Sequence, residues 1–320
     1  MSQEPAAAAP ERTPVTSLEQ SPFAFAQASR FMPPDTEGYD VFLIGCGGNG
    51  SELAPKLARM ARNLRKRGEH VSLYFIDPDR VETKNLDRQN FCWAERGLYK
   101  AETLANRFAH ANGVAITAVA APFKASFVRD LAGHSQTLKV LVGCVDRADA
   151  RLEIARAAHD AYGRKLVWLD LGNSYDSGQV LIGGSTEAHQ LRQSFPVPGI
   201  CTQLPCPAVL EPELINTKKK KRPRRRKTLP CAEAVEQNLQ SDSVNSQMAG
   251  IAYDYLYLLM VKNDLRKFAT YASFTAGTME SYYITTDNVS AVTGIPAEEL
   301  ARYELAARAS APEQAGRIAA

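Results

Sequence analysis

The amino-acid sequence predicts an α/β protein with a doubly wound, Rossmann-like, mostly parallel sheet and a C-terminal antiparallel strand pair. Short β-rich apolar runs alternate with helical stretches over residues 40–184, a pattern typical of parallel strands joined by crossover helices. A glycine-rich turn follows the first apolar run and opens the first helix, as in sheets that bind nucleotides. Two further runs within 271–287 predict the final strand pair.

The predicted strands and helices alternate along most of the chain. The apolar runs that predict strands are 41–45, 71–77, 116–123, 140–146, 166–172 and 179–184. The helical stretches are 51–66, 99–112, 148–161 and 244–261, and Pro296 opens a short tail helix. In the first helix, one apolar stripe recurs at steps of four, three and four residues, at Leu53, Leu57, Met60 and Leu64.

Three regions of different composition divide the chain. Residues 1–38 are rich in Ala, Pro, Ser and Glu and are predicted to form a flexible N-terminal arm. Residues 39–288 carry the α/β pattern and are predicted to form one domain. A proline-rich stretch without periodicity interrupts it and predicts a long crossover loop at about 185–230. Residues 289–320 are predicted to form a helical tail.

The overall composition is that of a globular protein, with 45% hydrophobic and 23% charged residues. This balance excludes a fibrous or wholly disordered chain. No apolar stretch reaches the roughly 18 residues that a membrane span needs, and the N-terminus lacks the basic start and apolar core of a signal peptide. The six cysteines show no compact even spacing and are interpreted as reduced thiols. These observations predict a cytoplasmic protein without membrane contact.

The basic residues are concentrated in one short segment. The 320-residue chain has 38 Lys and Arg against 35 Asp and Glu, a net charge of +3. Nine of the basic residues lie within 218–227, which leaves 29 basic against 35 acidic residues elsewhere. Four interpretations compete: a solvated loop tip, a docking surface for an acidic partner, a nucleic-acid contact and a nuclear-import signal. The solvated tip is favoured, and docking ranks above nucleic acid because no aromatic residues are interleaved for base stacking.

The glycine-rich turn GCGGNG at residues 45–50 is the first candidate for ligand binding. Its glycines permit a tight turn and close backbone approach, so N–H groups at the helix N-terminus are able to hold a phosphate. On its own the turn is a weak signal, because many glycine-rich turns bind nothing.

Three carboxylates occupy the place where such a sheet binds ligands. Asp77, Asp146 and Asp170 each lie at or near the carboxyl end of an apolar run, and these ends line the crevice at the topological switch point. Asp77 ends the second run, the usual place for a carboxylate that accepts hydrogen bonds from ribose hydroxyls. Each of the three is also a candidate helix cap.

A polar segment after Asp77 distinguishes between nucleotide chemistries. Its members are Asn85, Arg88, Gln89 and Lys100. A hydride-transferring dehydrogenase does not need such a cluster beside its ribose carboxylate, whereas a triphosphate site does, because Arg and Lys bind phosphate oxygens. With Asp146 as a magnesium carboxylate, the set predicts transfer of a nucleotidyl group to an acid.

The order of these motifs resembles the ThiF/MoeB/ubiquitin-activating superfamily of adenylating enzymes. The motifs that carry the resemblance are GCGGNG, IDPDRV, NLDRQ, Lys100 and CVDR, over roughly residues 40–184. The overall arrangement is also similar to the ThiF-related proteins of bacterial plasmid cassettes that carry a ParB-related gene (PRTRC systems). The resemblance implies adenylation of the C-terminal glycine of a ubiquitin-like or sulfur-carrier protein, with ATP and Mg²⁺ as cofactors.

The resemblance also implies roles for individual residues. Gly45, Gly47, Gly48 and Gly50 would form the nucleotide loop, and Asp77 would hold the ribose. Asn85, Arg88, Gln89 and Lys100 would contact the phosphates, and Asp146 would bind magnesium. Arg88, Lys100 and Asp146 would therefore be catalytic. The implied partners are a small carrier protein, a conjugating-type enzyme and a second copy in a homodimer.

The chain departs from the family pattern in two respects. Arg147 follows the magnesium carboxylate where the family often has Asn, and the chain lacks the paired CxxC motifs that bind structural zinc in many relatives. Cys201, Cys206 and Cys231 are a weak alternative zinc set. Cys231 is instead a tentative acyl acceptor for a thioester, because a helix N-terminus and the adjacent basic run would lower the pKa of its thiol.

Two other functions compete with adenylation. An NAD(P)-dependent oxidoreductase would use the same glycine turn, but none of the five histidines lies in a convincing catalytic setting. A degenerate member of the fold would bind a carrier or plasmid-partition protein without chemistry. The presence of Arg88, Lys100 and Asp146 argues against such a loss of catalysis.

Overall fold

The computed structural model describes residues 12–19, 23–132, 136–161, 165–217 and 242–301. Its centre is an eight-stranded sheet with the order β10-β9-β7-β6-β5-β2-β3-β4. A separate two-stranded sheet joins β1 and β8. The strands are β1 Arg30–Phe31, β2 Gly38–Ile44, β3 His70–Ile76, β4 Ile116–Val119, β5 Leu138–Gly143, β6 Leu166–Asn173, β7 Ser177–Gly183, β8 Ile200–Cys201, β9 Lys267–Ser273 and β10 Thr278–Tyr283.

Five neighbouring strands of the large sheet are parallel. β2 pairs in parallel with β3 on one side and with β5 on the other, while β4 and β6 extend the sheet outward. The chain therefore reverses its direction of winding at β2 and β5, which places a topological switch point beyond their carboxyl ends. The predicted doubly wound, mostly parallel α/β fold is confirmed.

The other three strands of the large sheet are antiparallel to their neighbours. β7 pairs antiparallel with β6, β9 with β7, and β10 with β9. The predicted C-terminal pair is thus confirmed as β9 and β10. The direction of β7 was not predicted, although only residues 174–176 separate it from β6, too few for the crossover that a parallel neighbour requires.

Helices cover both faces of the sheet. Their bounds are α1 Ala24–Gln27, α2 Gly48–Lys66, α3 Lys100–Asn112, α4 Ser126–Leu131, α5 Ala148–Asp160, α6 Ala188–Leu191, α7 Pro207–Leu210, α8 Asp242–Tyr257, α9 Thr286–Thr293 and α10 Ala297–Leu300. Short 3-10 helices occupy Val15–Ser17, Thr83–Asn85, Trp93–Glu95 and Pro212–Ile215, and a π-helix, Leu258–Lys262, extends α8.

The alternation of side chains along β2 separates two apolar cores. Val41 and Leu43 belong to the core with α2, α3 and α8, whereas Phe42 and Ile44 belong to the core with α4 and α5. This follows from the two-residue period of a strand that is covered on both faces. The apolar stripe of α2 faces the first of these cores, and all four of its predicted residues are buried.

Part of the predicted N-terminal arm packs against the domain. Val15 and Phe31 are buried, and β1 pairs in parallel with β8. The backbone N–H of Phe31 also donates to the carbonyl of Leu265 at 2.7 Å. These contacts tie Arg30 and Phe31 to segments more than 160 positions away in the sequence.

The predicted crossover loop contains short elements in its described part. Residues 185–217 include α6, β8, α7 and a 3-10 helix, and they bury Leu191, Phe195 and Leu204. These elements have only two to four residues each, which is too short for a periodic pattern of apolar residues to be recognised in the sequence. The basic run 218–227 and Cys231 lie outside the described residues. Within the described ranges, no helix is long and apolar enough to cross a membrane.

Candidate functional site

An open crevice of about 1870 Å³ lies beyond the carboxyl ends of β2, β3, β5 and β6. One part is bordered by the turn at residues 45–50 and by the segment after β3. The other part is bordered by the β6–β7 turn and by the ends of β9 and β10. The crevice contains the predicted binding residues Gly45, Gly47, Gly48, Asp77, Asn85, Arg88, Gln89, Lys100 and Asp146 in its lining. The structure therefore brings together nearly all of the predicted set.

The glycine loop, residues 45–50, joins β2 to α2 in a turn that side chains would block. Gly45 has a φ of +90°, a conformation that L side chains rarely adopt. A Cβ on Gly50 would lie 1.9 Å from the carbonyl oxygen of Gly45. Because α2 begins at Gly48, the first N–H groups of this helix lie at the loop, as a phosphate site requires.

Asp77 follows the last residue of β3 and braces the glycine loop. Its Oδ2 accepts from the backbone N–H of Cys46 at 2.6 Å, and its Oδ1 accepts from the backbone N–H of Asp79 at 2.8 Å. Burial raises the pKa of this carboxyl group, and the two N–H donors and Lys100 act in the opposite direction. Each carboxylate oxygen has a further lone pair, so the bracing bonds leave acceptor capacity for a ribose hydroxyl.

Lys100 is the first residue of α3, and its ammonium group is nearly buried at the crevice. Its side chain is 7% exposed, and its Nζ lies 3.1 Å from the Oδ2 of Asp79. The side chain of Asp79 is itself 65% exposed. A buried amine paired with one exposed carboxylate retains donor capacity for a phosphate.

Asn85, Arg88 and Gln89 form a single turn. The backbone N–H groups of Arg88 and Gln89 both donate to the carbonyl of Asn85, at 3.2 and 2.9 Å. The Oδ1 of Asn85 accepts from the backbone N–H of Glu82 at 2.9 Å, so part of this side chain shapes the turn. The Nε of Arg88 and the Oε1 of Gln89 are buried and have no hydrogen-bond partner among the described residues. Buried polar groups of this kind are costly unless a ligand or water satisfies them.

Asp146 lies at the exposed rim of the crevice, after the end of β5. The neighbouring Arg147, which departs from the family pattern, pairs with Asp149 and is largely exposed. Among the described residues, no group of three or more His, Cys, Asp or Glu side chains is arranged to hold a metal ion. A divalent cation here would therefore depend on one carboxylate together with oxygens of a ligand, as is usual for Mg²⁺ bound with nucleotide phosphates.

Asp170 was predicted to line the crevice, and this prediction is wrong. It is fully buried, and its Oδ1 accepts from the Nε of Arg151 at 3.0 Å. The reason is its place in the strand: β6 continues to Asn173, so Asp170 lies inside the sheet. Asp77 and Asp146 differ because they follow the last residues of their strands.

Sequence analysis missed three asparagines that link the crevice wall. The side chains of Asn49, Asn173 and Asn245 form a hydrogen-bonded series that ends on the backbone carbonyl of Arg88. Asn49 is inside the glycine loop, Asn173 ends β6 and Asn245 lies in α8. Separations of 124, 72 and 157 residues leave no local signal of these contacts.

Three of the described cysteines have buried thiols, and Cys144 is half-buried at the crevice. Cys46, Cys201 and Cys206 are buried, and desolvation raises the pKa of each thiol, to about 11 for Cys206. Cys144 lies just after β5 and not inside it, and burial also raises its pKa. Cys92 is exposed. The tentative acyl acceptor Cys231 and any zinc set that includes it lie outside the described residues.

Comparison with known proteins identifies a family and similar folds. A model of the ThiF family matches residues 35–286. The crystal structure of selenomethionine-labelled PaaA is 18% identical, with a TM-score of 0.48, and the match covers 78% of this chain and 64% of PaaA. Escherichia coli MccB crystallised with ATP is 15% identical, with a TM-score of 0.48, and the match covers 82% of this chain and 66% of MccB. The chain thus spans slightly less than two thirds of each. No curated protein matches the sequence significantly.

Proposed function

Because the chain belongs to the ThiF family, we propose that it is an ATP-dependent adenylating enzyme that activates the C-terminal carboxylate of a small protein or peptide. By resemblance, the substrate is a ubiquitin-like or sulfur-carrier protein that ends in glycine. The enzyme is a ubiquitin-activating-like adenylyltransferase in this proposal.

The observation that carries the proposal is the set of anion-binding groups along one wall of the crevice. The glycine loop supplies N–H groups at the start of α2, and Lys100 supplies a nearly buried ammonium group. Arg88 supplies a buried guanidinium nitrogen that has no acceptor among the described residues. Donors on three segments that line one crevice are expected to bind a polyphosphate, because each would gain a charge-assisted hydrogen bond.

In the proposed reaction, one oxygen of the substrate carboxylate forms a bond to the α-phosphorus of ATP. The bond from that phosphorus to the bridging oxygen breaks, and pyrophosphate leaves with the electron pair. The products are an acyl-adenylate and pyrophosphate. Arg88 and Lys100 stabilise the charge that passes to the phosphate oxygens, while Asn85 and Gln89 position the phosphates and Asp77 accepts from the ribose.

Asp146 is the proposed ligand for Mg²⁺. Its exposed carboxylate at the rim of the crevice and the lack of a protein cage among the described residues fit a cation that is shared with the nucleotide. When bound, the ion would offset phosphate charge. Asp146 would hold the ion, and the ammonium and guanidinium groups across the crevice would orient the nucleotide.

The part of the crevice beyond the nucleotide site is the proposed site for the substrate's C-terminal tail. Its border includes Tyr175 in the β6–β7 turn and Met279 in β10, which are 54% and 64% exposed. Exposed apolar side chains beside a strand backbone are able to bind an extended polypeptide, through side-chain contacts and main-chain hydrogen bonds. A homodimer and a conjugating-type enzyme remain proposed partners by family resemblance, and 218–227 is a proposed docking segment, with nucleic-acid contact less favoured.

A thioester on Cys231 is proposed as a second step. The Cys231 thiolate would attack the acyl carbonyl carbon, and AMP would leave with its electron pair. The raised pKa values of Cys46, Cys144, Cys201 and Cys206 support this choice, because a protonated thiol is a poor nucleophile. Membership of a PRTRC cassette is likewise a proposal, and the genes that flank this one are its test.

The direct test is pyrophosphate exchange into ATP with a panel of small proteins that end in glycine. We expect exchange with at least one carrier, and a loss of about 100-fold in Arg88→Ala and Lys100→Met. Matched controls are Arg129→Ala and Lys66→Met, at exposed sites on α4 and α2. Exchange with no carrier, together with unchanged ATP affinity in Asp146→Ala, would refute adenylation. ATP binding without pyrophosphate release would favour a non-catalytic scaffold, and nicotinamide binding would favour an oxidoreductase.

A further inference from the structure

Three asparagine side chains connect separate elements around the crevice. The Nδ2 of Asn49 donates to the Oδ1 of Asn173 at 3.1 Å, and the Nδ2 of Asn173 donates to the Oδ1 of Asn245 at 2.7 Å. The Nδ2 of Asn245 then donates to the backbone carbonyl of Arg88 at 2.9 Å. We call this series the amide relay.

The direction of the amide relay is fixed by its last member. The carbonyl of Arg88 only accepts, so Asn245 must present its NH₂ group there and its oxygen to Asn173. Asn173 must then present its NH₂ group to Asn245 and its oxygen to Asn49. A carboxylate has no proton to donate, so an ionised aspartate at Asn173 or Asn245 breaks the relay although its shape is nearly the same.

The amide relay holds together the two parts of the proposed phosphate site. Asn245 is fully buried, and a Cβ on Gly48 would lie 2.6 Å from its Nδ2. Asn245 thus packs directly against the glycine loop while it bonds to the backbone of Arg88. One side chain of α8 sets the position of both the loop and the arginine.

We propose that Asn245 is a positioning residue for ATP, which acts through the directed amide relay to align Arg88 with the glycine loop. The inference rests on the proposed function, because ATP is the ligand that both parts would bind. Asn245 does not itself line the crevice. Its effect on ATP comes from the positions of Arg88 and Gly48.

A space-filling role is the alternative, and Asn245→Asp and Asn245→Leu together separate the two. The substituted carboxyl group and the Leu side chain have nearly the shape of the amide, so a side chain that only fills space would tolerate the protonated carboxyl group and would tolerate Leu at every pH. A directed relay would lose its hydrogen bonds in Asn245→Leu and bind ATP more weakly at every pH. In a directed relay, the ionised form would set oxygen against the carbonyl of Arg88. The protonated form would restore the bond, because its O–H donates as the amide did.

Other charged groups lie near Asn245, and their titration also contributes to the pH dependence of ATP affinity. Glu52 of α2 is half-buried, and its pKa is raised by burial and by Asp242 at the start of α8. Arg88 is the nearest cation in the relay. Wild-type protein and Gln247→Glu, an exposed amide-to-carboxylate change on α8, report the pH dependence that these groups cause.

The experiment measures affinity for an ATP analogue with a methylene bridge between the α- and β-phosphates, with Mg²⁺, by calorimetry from pH 5.5 to 8.5. We expect Asn245→Asp to bind at least about tenfold more weakly than wild type at pH 8.5. At pH 5.5 we expect it to recover to within about threefold, because burial favours the protonated carboxyl group. Asn173→Asp should show the same recovery, and Gln247→Glu should follow wild type throughout. Asn173→Asp also serves as the test if Asn245→Asp does not fold.

Two results overturn the inference. Wild-type affinity in a folded Asn245→Leu variant would show a space-filling role. A loss in the two aspartate variants that does not depend on pH would show general damage to the site. Failure of wild-type protein to bind the analogue would instead refute the proposed function, so the two failures are distinguishable.

Discussion

The carboxylate of Asp77 accepts the backbone N–H of Cys46 at 2.6 Å, so the end of β3 holds the glycine loop that follows β2. The other oxygen of Asp77 accepts from the backbone N–H of Asp79 and shapes the turn that leads to the segment proposed to bind phosphates. One carboxylate thus braces two chain segments that border the crevice.

Substitution Asp77→Asn should therefore destabilise the protein and weaken ATP binding together. An amide has one acceptor oxygen for two backbone donors, and its NH₂ group would oppose the other N–H. We expect a loss of about 1–3 kcal/mol in the free energy of unfolding, measured with urea. Asp87→Asn, at an exposed position nearby, is the control. Unchanged stability in Asp77→Asn would contradict the bracing role.

Two glycine substitutions should have opposite effects. In Gly50→Ala the new methyl group would lie 1.9 Å from the carbonyl of Gly45, so the loop must open, and we expect ATP binding to be lost. In Gly250→Ala the methyl group would meet nothing within 4 Å on α8, and we expect a gain of up to about 1 kcal/mol. Calorimetry with ATP and thermal unfolding check both. Tight ATP binding by Gly50→Ala would rule out the loop as the phosphate site.

Asp146→Asn should remove the dependence of ATP affinity on Mg²⁺. The amide is a weaker ligand for a hard cation than a carboxylate, so we expect pyrophosphate exchange to fall by about 100-fold. ATP affinity without Mg²⁺ should stay near that of wild type. Asp160→Asn, at the exposed end of α5, is the matched control. An unchanged Mg²⁺ dependence would place the cation elsewhere.

Arg151→Met should lower the free energy of unfolding, because it leaves the buried Asp170 carboxylate without its cationic partner. Burial already raises the pKa of this group, and Arg151 opposes that shift. Without Arg151 we expect a loss of about 3–5 kcal/mol in the free energy of unfolding at pH 7.5. The pKa of the folded state rises further, so the penalty is present above that pKa and shrinks as the pH falls toward the unfolded value of about 4. Urea unfolding at several pH values measures this. A pH-independent deficit would mean that the loss comes from the packing of Arg151 and not from the charge of Asp170.

Thiol labelling should distinguish the described cysteines. At pH 8 in folded protein, we expect iodoacetamide to modify Cys92 and to leave Cys46, Cys201 and Cys206 unmodified, as measured by peptide mass spectrometry. Each of these three thiols is buried and has a raised pKa, so the thiolate is scarce. Because the pKa of Cys206 is about 11, a change to pH 9 should not release it. Rapid labelling of Cys206 would show that its segment opens.

The alternation of apolar runs was sufficient to predict the parallel sheet, because strands covered on both faces are continuous apolar segments. An apolar run does not show in which direction its strand runs, so the sequence did not distinguish the antiparallel strand β7 from the parallel strands. Helix α9, Thr286–Thr293, begins at the end of a run that predicted a strand, because Thr and Val favour strands, and it continues into the predicted helical tail. Thr285 caps it and Gly294 ends it, so the helix crosses the predicted boundary at residue 288.

The site was predicted where its residues follow a strand or form a local turn. The positions of Asp77 and Asn85 are of this kind. Asp170 was predicted to lie near the end of its strand, but β6 continues to Asn173 and keeps the side chain inside the sheet. The amide relay was missed because its contacts join distant segments. Such contacts arise only when α8 packs against α2.

The placement of β9 between β7 and β10 has a consequence for biosynthesis. Residues 267–273 reach the ribosome exit long after the nucleotide-binding half, yet they pair with Gly178, Gln179 and Val180 of β7. Until they arrive, a nascent chain presents the outer edge of β7 with unsatisfied N–H and C=O groups, a template for association with other chains. Truncation before residue 267 should therefore yield aggregated protein and not a smaller folded domain, because β9 and β10, which are synthesised after the other strands of the large sheet, complete it.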